Sequence, residues 1–145
     1  NFKTKKLLDQ DGYPGSKPPW GNLTAINLNN GKIIWQIPFG EYEELTKKNI
    51  PITGQTNMGG VTGTSGNLIF ATGTLDKKIR AFDSNNGKEM WSYELPYIGS
   101  SPPTVYEYNG EQYILVSATG SISLFSEYKN NAKLGNKVLA FKLKN

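Results

Sequence analysis

The chain has 145 residues, of which 37% are hydrophobic, 12% aromatic and 19% charged, with 16 Lys and Arg against 12 Asp and Glu. It contains no Cys and no His, which excludes disulfides, Cys/His zinc sites, cysteine nucleophiles and Ser-His-Asp triads within this chain. The net charge of +4 is scattered over lysines with Arg80 as the sole arginine, a general surface property rather than a nucleic-acid footprint, and no apolar run is long enough to make a membrane-crossing helix.

Residues 1–19 carry no strand pattern and read as a loop. From Leu23 the side chains alternate up to Asn30-Gly31, a pair suited to a two-residue turn with positive φ at both positions. A second alternating run then leads away with Ile33, Trp35 and Ile37 on one face, so residues 20–38 form a hairpin. Glu41 to Lys48 reads as about two helical turns, its acids leading and its lysines trailing to suit the helix dipole.

Met58 to Gly63 and Asn67 to Ala71 read as short strands joined by a turn at Gly63-Thr64-Ser65-Gly66. Gly73 to Lys77 turns into a strand holding Ile79, which reaches Asn86-Gly87 and returns with Trp91, Tyr93 and Leu95 on one face. Residues 57–96 are therefore a complete four-stranded antiparallel unit. Within residues 102–145, Pro103 to Tyr108, a turn at Asn109-Gly110, Gln112 to Ala118, an irregular stretch from Thr119 to Asn136, and Lys137 to Leu143 supply three strands.

The chain repeats itself. Residues 23–35 align with residues 79–91 at a spacing of 56, and six of the thirteen columns are identical: an Ala, the Asn-Asn-Gly-Lys turn and a Trp. A truncated third copy runs from Val138 to Lys142. Four-stranded units at such a period, with an aromatic at a fixed place, are the pattern of β-propeller blades. The expected fold is thus an all-β propeller fragment of about two and a quarter blades, too few to close a ring, and so part of a longer protein or an assembly. An ordinary β-sandwich with one chance repeat is the competing arrangement.

The unit Ala-x-Asp-x-x-x-Gly-x-x-x-Trp resembles the tryptophan-docking motif of the pyrroloquinoline quinone (PQQ) dehydrogenases. Ala81, Asp83, Gly87 and Trp91 fit it completely; Ala25, Gly31 and Trp35 fit with Asn27 in place of Asp. The ordered matches Asp9 to Pro14, Lys17-Pro18-Pro19-Trp20-Gly21, Gly40 to Leu45, Thr53-Gly54, Asn57-Met58-Gly59-Gly60 and Gly66 to Phe70 resemble the carboxy-terminal region of the membrane-associated glucose-dehydrogenase branch. The resemblance implies a periplasmic bacterial enzyme that oxidises a sugar or alcohol with PQQ and a calcium ion and passes electrons to a membrane quinone or a cytochrome. It also implies that the catalytic base and the metal ligands lie in blades outside this chain, which by itself is catalytically incomplete, with the remaining blades as its partners.

Within the chain, the resemblance places Asn57, Met58 and Gly59 at the cofactor chamber, Asn57 offering an amide and the glycines allowing close backbone approach. The bland reading is that Asn57 caps a turn and Gly59-Gly60 relieves crowding. Asp76 is a further cofactor-side candidate against the ordinary expectation of an exposed turn aspartate, and Trp20 borders the chamber or covers the blade edge. In the docking motif the indoles pack between blades and the Asp fixes the hairpin. After Ala118 the chain departs from the family: Thr119 to Phe125 replaces a glycine-rich segment with a histidine, whose role does not carry over. A non-catalytic propeller using the same motif as a protein-binding scaffold is the alternative function.

Overall fold

The computed structural model describes residues 6–121 and 133–142. Its described part holds nine strands in three antiparallel sheets and one short helix. The first sheet pairs β1 (Asn22–Ile26) with β2 (Ile33–Pro38). The second runs in the order β3 (Val61–Gly63), β4 (Leu68–Ala71), β5 (Lys78–Asp83) and β6 (Glu89–Glu94). The third runs β7 (Thr104–Tyr108), β8 (Glu111–Ala118) and β9 (Lys137–Lys142). The expected series of two, four and three strands is what the sheets contain.

Apolar side chains alternate so that the sheets pack face to face. Phe70, Ile79, Ala81 and Leu95 meet Ile114, Val116 and Ala118 of the third sheet, and Ile79, Leu95 and Val116 are fully buried. On the other side Leu23 and Ile37 pack against Phe39, Ala71 and Phe82. β5 is thus covered on both faces from Ile79 to Phe82, as a central strand must be. β3 and β7 adjoin at one edge, where the Thr62 hydroxyl donates to the Pro103 carbonyl. At the opposite edge Trp91 and Tyr93 of β6 meet the ring of Phe141 in β9 at 5.4 and 5.1 Å.

Four local expectations are corrected. The Asn30-Gly31 and Asn86-Gly87 turns are not two-residue turns: only Gly31 (φ +69°) and Gly87 (φ +74°) are left-handed. Each closes a wider loop, with Gly31 N–H bonded to the Asn27 carbonyl and Gly87 N–H to that of Asp83. The two-residue form is present at Asn109-Gly110, where both φ values are positive and Tyr108 pairs directly with Glu111. Helix α1 (Glu43–Thr46) is a single turn, stopped where Asn49 takes a φ of +63°. β3 starts at Val61 rather than Met58, because Asn57 bends the chain by accepting the Gly59 N–H on its own side chain. Leu143, expected as the last strand residue, lies outside the described residues, as do residues 122–132 of the irregular stretch.

Candidate functional site

Antiparallel connectivity sorts the loops onto two rims. Tight turns at residues 27–32, 64–67, 84–88 and 109–110 occupy one rim. The other rim carries residues 6–21, 39–60, 72–77, 95–103 and the described parts of 119–136, and with them every connection longer than six residues. Binding sites on rigid scaffolds are built from loops of this second kind. Asn57, Met58, Gly59 and Asp76 all lie on the long-loop rim, whereas Gly31, Asp83 and Gly87 lie on the tight-turn rim.

The tight-turn rim is a packing device. Ala25 pairs across its hairpin with Trp35, Ala81 pairs across the next with Trp91, and each strand is bulged immediately after its alanine. The Asp83 carboxylate accepts the Asn85 N–H at 2.8 Å and the Asn85 and Asn86 side-chain amides at 3.0 Å. These bonds, the Asn85 backbone N–H foremost, hold its carboxyl below the ordinary aspartate pKa. Asn27 does the same work with one bond, to the Asn29 N–H. Trp35 crosses to the second sheet, donates its indole N–H to the Ser84 carbonyl at 2.8 Å, and lies so close over Gly87 that a Cβ there would come within 2.8 Å of the ring. Trp91 meets Phe141 instead of a glycine.

On the long-loop rim, at the edge shared by β3 and β7, Asn57 bridges to Thr74. Its side-chain amide donates to the Thr72 carbonyl at 3.2 Å, using one of two N–H groups, and its oxygen takes the Gly59 N–H at 3.0 Å. A Cβ on Gly59 would strike the Thr72 carbonyl at 2.3 Å, and one on Gly60 would strike Pro102 at 2.5 Å. The turn-capping and close-packing features anticipated for this segment are therefore both present. Asn57 and Met58 are nonetheless exposed at the rim, Met58 to 46%. The buried Thr72 hydroxyl donates to Gly99 at 2.8 Å, and next to it Ser100 and Thr119 share a hydroxyl bond of 2.9 Å. Sequence reasoning passed over these three hydroxyls, since isolated Ser and Thr in loops carry no signal.

Asp76 is not an exposed turn residue. Its carboxylate accepts the Glu41 N–H at 2.9 Å, the Lys78 N–H at 3.1 Å, the Thr74 hydroxyl, and both terminal nitrogens of Arg80. Arg80, 4% exposed, also pairs with Glu89 at 3.2 Å and lies 5.8 Å from the Phe39 ring centre. Gln55, equally buried, accepts the Asp76 N–H and donates to the Glu41 carbonyl. A small cleft beside this cluster is lined by Phe39, Glu41, Ile52, Lys78, Arg80 and Glu89. Farther out on the same rim, Trp20 stacks on Tyr13 at 5.8 Å and meets Tyr42 edge-on at 5.7 Å, so it covers the loop layer rather than opening onto the β3–β7 corner.

The resemblance implies two groups, a quinone and a calcium ion. One free amide N–H on Asn57 beside an exposed thioether suits one edge of a planar, oxygen-rich quinone, which needs donors and an apolar contact. Calcium needs several converging oxygens, and among the described residues no three Asp or Glu side chains converge in that way. Among the described residues there is thus no cluster of carboxylates to hold calcium.

The sequence matches the PQQ family described as "Glucose/ethanol/alcohol dehydrogenase, beta-propeller domain" over residues 1–114. The chain belongs to this family. It is 35% identical to a probable quinate dehydrogenase (quinone) of Xanthomonas campestris pv. juglandis, a match covering 95% of this chain and 18% of that protein. It is 31% identical to the quinoprotein glucose dehydrogenase of Escherichia coli K12, covering 94% of this chain and 17% of that one. The crystal structure of quinohemoprotein alcohol dehydrogenase from Comamonas testosteroni superposes with a TM-score of 0.66 at 22% identity, covering 89% of this chain and 17% of that one, and shows the shared propeller fold. The chain thus spans less than a fifth of the length of these relatives.

Proposed function

We propose that this chain is part of a PQQ-dependent dehydrogenase that oxidises the CH–OH group of a sugar, alcohol or related polyhydroxy compound. The observation that carries the reading is the family match over residues 1–114, with the long-loop rim gathering the segment that would meet the cofactor. PQQ, when bound, supplies the two-electron acceptor for such an oxidation. Asn57 would offer the quinone its second amide N–H and Met58 an apolar contact, on a turn that Gly59 lets pack against the Thr72 carbonyl. The base, the calcium site and the rest of the substrate pocket belong to other blades, so this chain alone is inactive.

The same reading assigns Ala25, Gly31, Trp35, Ala81, Asp83, Gly87 and Trp91 to blade docking, supported by Trp35 seated on Gly87. Residues 20–38, 57–96 and 102–145 are then one outer hairpin, one whole blade and one incomplete blade. The enzyme works in the bacterial periplasm, associated with the membrane whose quinone, or a cytochrome, takes the electrons. The test is reconstitution of the full-length protein with calcium and PQQ, followed by dye reduction with sugars, alcohols and quinate. Cofactor-dependent turnover of at least one is expected. Absence of both turnover and PQQ binding would overturn the reading in favour of a scaffold propeller.

A further inference from the structure

The lone arginine of the chain is buried in a central strand, where it pairs with Glu89 of β6 and, through both terminal nitrogens, with Asp76 on the 72–77 loop that is bridged to Asn57. A buried ion pair is costly to desolvate and often replaceable by apolar residues, so what it fixes in space is the informative question. Here the answer can be traced bond by bond. Arg80 grips Asp76 with both terminal nitrogens, and one of them also reaches the Thr74 hydroxyl. Thr74 is the backbone partner of Asn57. Asp76 N–H is held by the side chain of Gln55, two residues before Asn57, and Gln55 also binds the Glu41 carbonyl. The Glu41 N–H returns to the Asp76 carboxylate, closing the circuit. Gly40 completes the fit, because a Cβ there would come within 2.8 Å of both Gln55 and Thr74.

We propose that Asp76 and Arg80 are positioning residues: they clamp the loop at 72–77 and the two ends of the connection at 39–57 together, and so set the backbone at Asn57, Met58 and Gly59. Asp76 acts through Thr74 and Gln55, without contacting the cofactor, since its two oxygens already accept five bonds. The proposal rests on the PQQ reading only for the purpose of the clamp; the clamp itself is a property of this chain.

The experiment has two arms on the full-length protein. Without cofactor, hydrogen exchange is followed at the Met58 and Gly59 amides, bonded to the Gly73 carbonyl and the Asn57 side chain. In Asp76→Asn, exchange there rises by about tenfold while the amides of β8 and β9 keep their rates. Arg80→Lys, which keeps the charge and loses the fork, gives a smaller rise and serves if Asp76→Asn does not fold. Unchanged exchange at Met58 and Gly59, or an equal rise throughout β8 and β9, overturns the clamp.

In the second arm PQQ affinity is measured with calcium present for Asn57→Ala, Asp76→Asn and the double variant. A residue acting through Asn57 gives strongly non-multiplicative losses, with the double variant within about twofold of Asn57→Ala. Losses that multiply overturn the assignment, because Asp76 then reaches the quinone by its own route. If Asn57→Ala leaves affinity unchanged while the exchange result holds, the clamp stands and the placement of the quinone at Asn57 fails.

Discussion

Gly31 and Gly87 occupy the same place in the two copies of the repeat, and they isolate what the contact between sheets is worth. Both are left-handed, at φ +69° and +74°, so an alanine at either position carries the same backbone cost of about 1–2 kcal/mol. Their surroundings differ. Nothing lies within 4 Å of a Cβ built on Gly31, whereas one on Gly87 falls 2.8 Å from Trp35 Cε3 and 3.0 Å from Cδ2. The indole is also tied to the Ser84 carbonyl and cannot retreat without losing that bond. Overpacking of this kind costs about 1–3 kcal/mol. Gly31→Ala is therefore expected to lower stability by about 1–2 kcal/mol and Gly87→Ala by about 2–5 kcal/mol. The assay is urea unfolding followed by tryptophan fluorescence, with the slope compared across variants to confirm that the denatured state is unchanged. Equal losses at the two glycines would refute the argument that the first sheet is held to the second through Trp35 and Gly87.

Three further outcomes follow from buried or bonded groups. Thr72→Val removes the hydroxyl that donates to Gly99 and Ser101 and should cost about 1–3 kcal/mol by thermal unfolding, with its loss confined to the junction of the second and third sheets. Ile79→Ala empties a fully buried position and should cost about 2–5 kcal/mol, whereas Leu28→Ala, at 94% exposure, should fall within about 0.5 kcal/mol of the parent in the same assay. Asp83 has a folded pKa below its unfolded value, so its contribution is complete above an unfolded aspartate pKa of about 3.9 and is lost as pH falls through the folded value. A carboxyl NMR titration should put its midpoint below that of an unstructured aspartate, and Asp83→Asn should remove this part of the acid sensitivity.

The repeated hairpins were legible because the features that define them are local: an alternating run, an Asn-Gly pair and a tryptophan two turns of pleat beyond. Their turn type was not, because Asn27 and Asp83 each accept the N–H two residues on with their own side chain and widen the loop, a competition that the Asn-Gly pair does not reveal. At Asn109-Gly110 the preceding residue is Tyr108, which offers no such bond, and the turn has the form its sequence suggests. The rim segment Asn57 to Gly60 was found through resemblance. The Arg80 clamp was missed because a single arginine among scattered lysines looks like surface charge, and because its partners Asp76 and Glu89, and the Glu41 and Gln55 that hold Asp76, come together only once two connections fold over one another beside β6. The available signal was Arg80 within a strand flanked by apolar residues on both sides: a charge in a strand buried on both faces must be paired.

The central claim is that the long-loop rim at the β3–β7 edge faces the quinone. A crystal structure of the full-length protein loaded with PQQ and calcium tests this directly. The account predicts the quinone within hydrogen-bond reach of the Asn57 side-chain amide and in contact with Met58, with Asp76 still bound to Arg80 and out of contact with the cofactor. A quinone bound over the tight-turn rim, or one that leaves Asn57 and Met58 untouched, would contradict it.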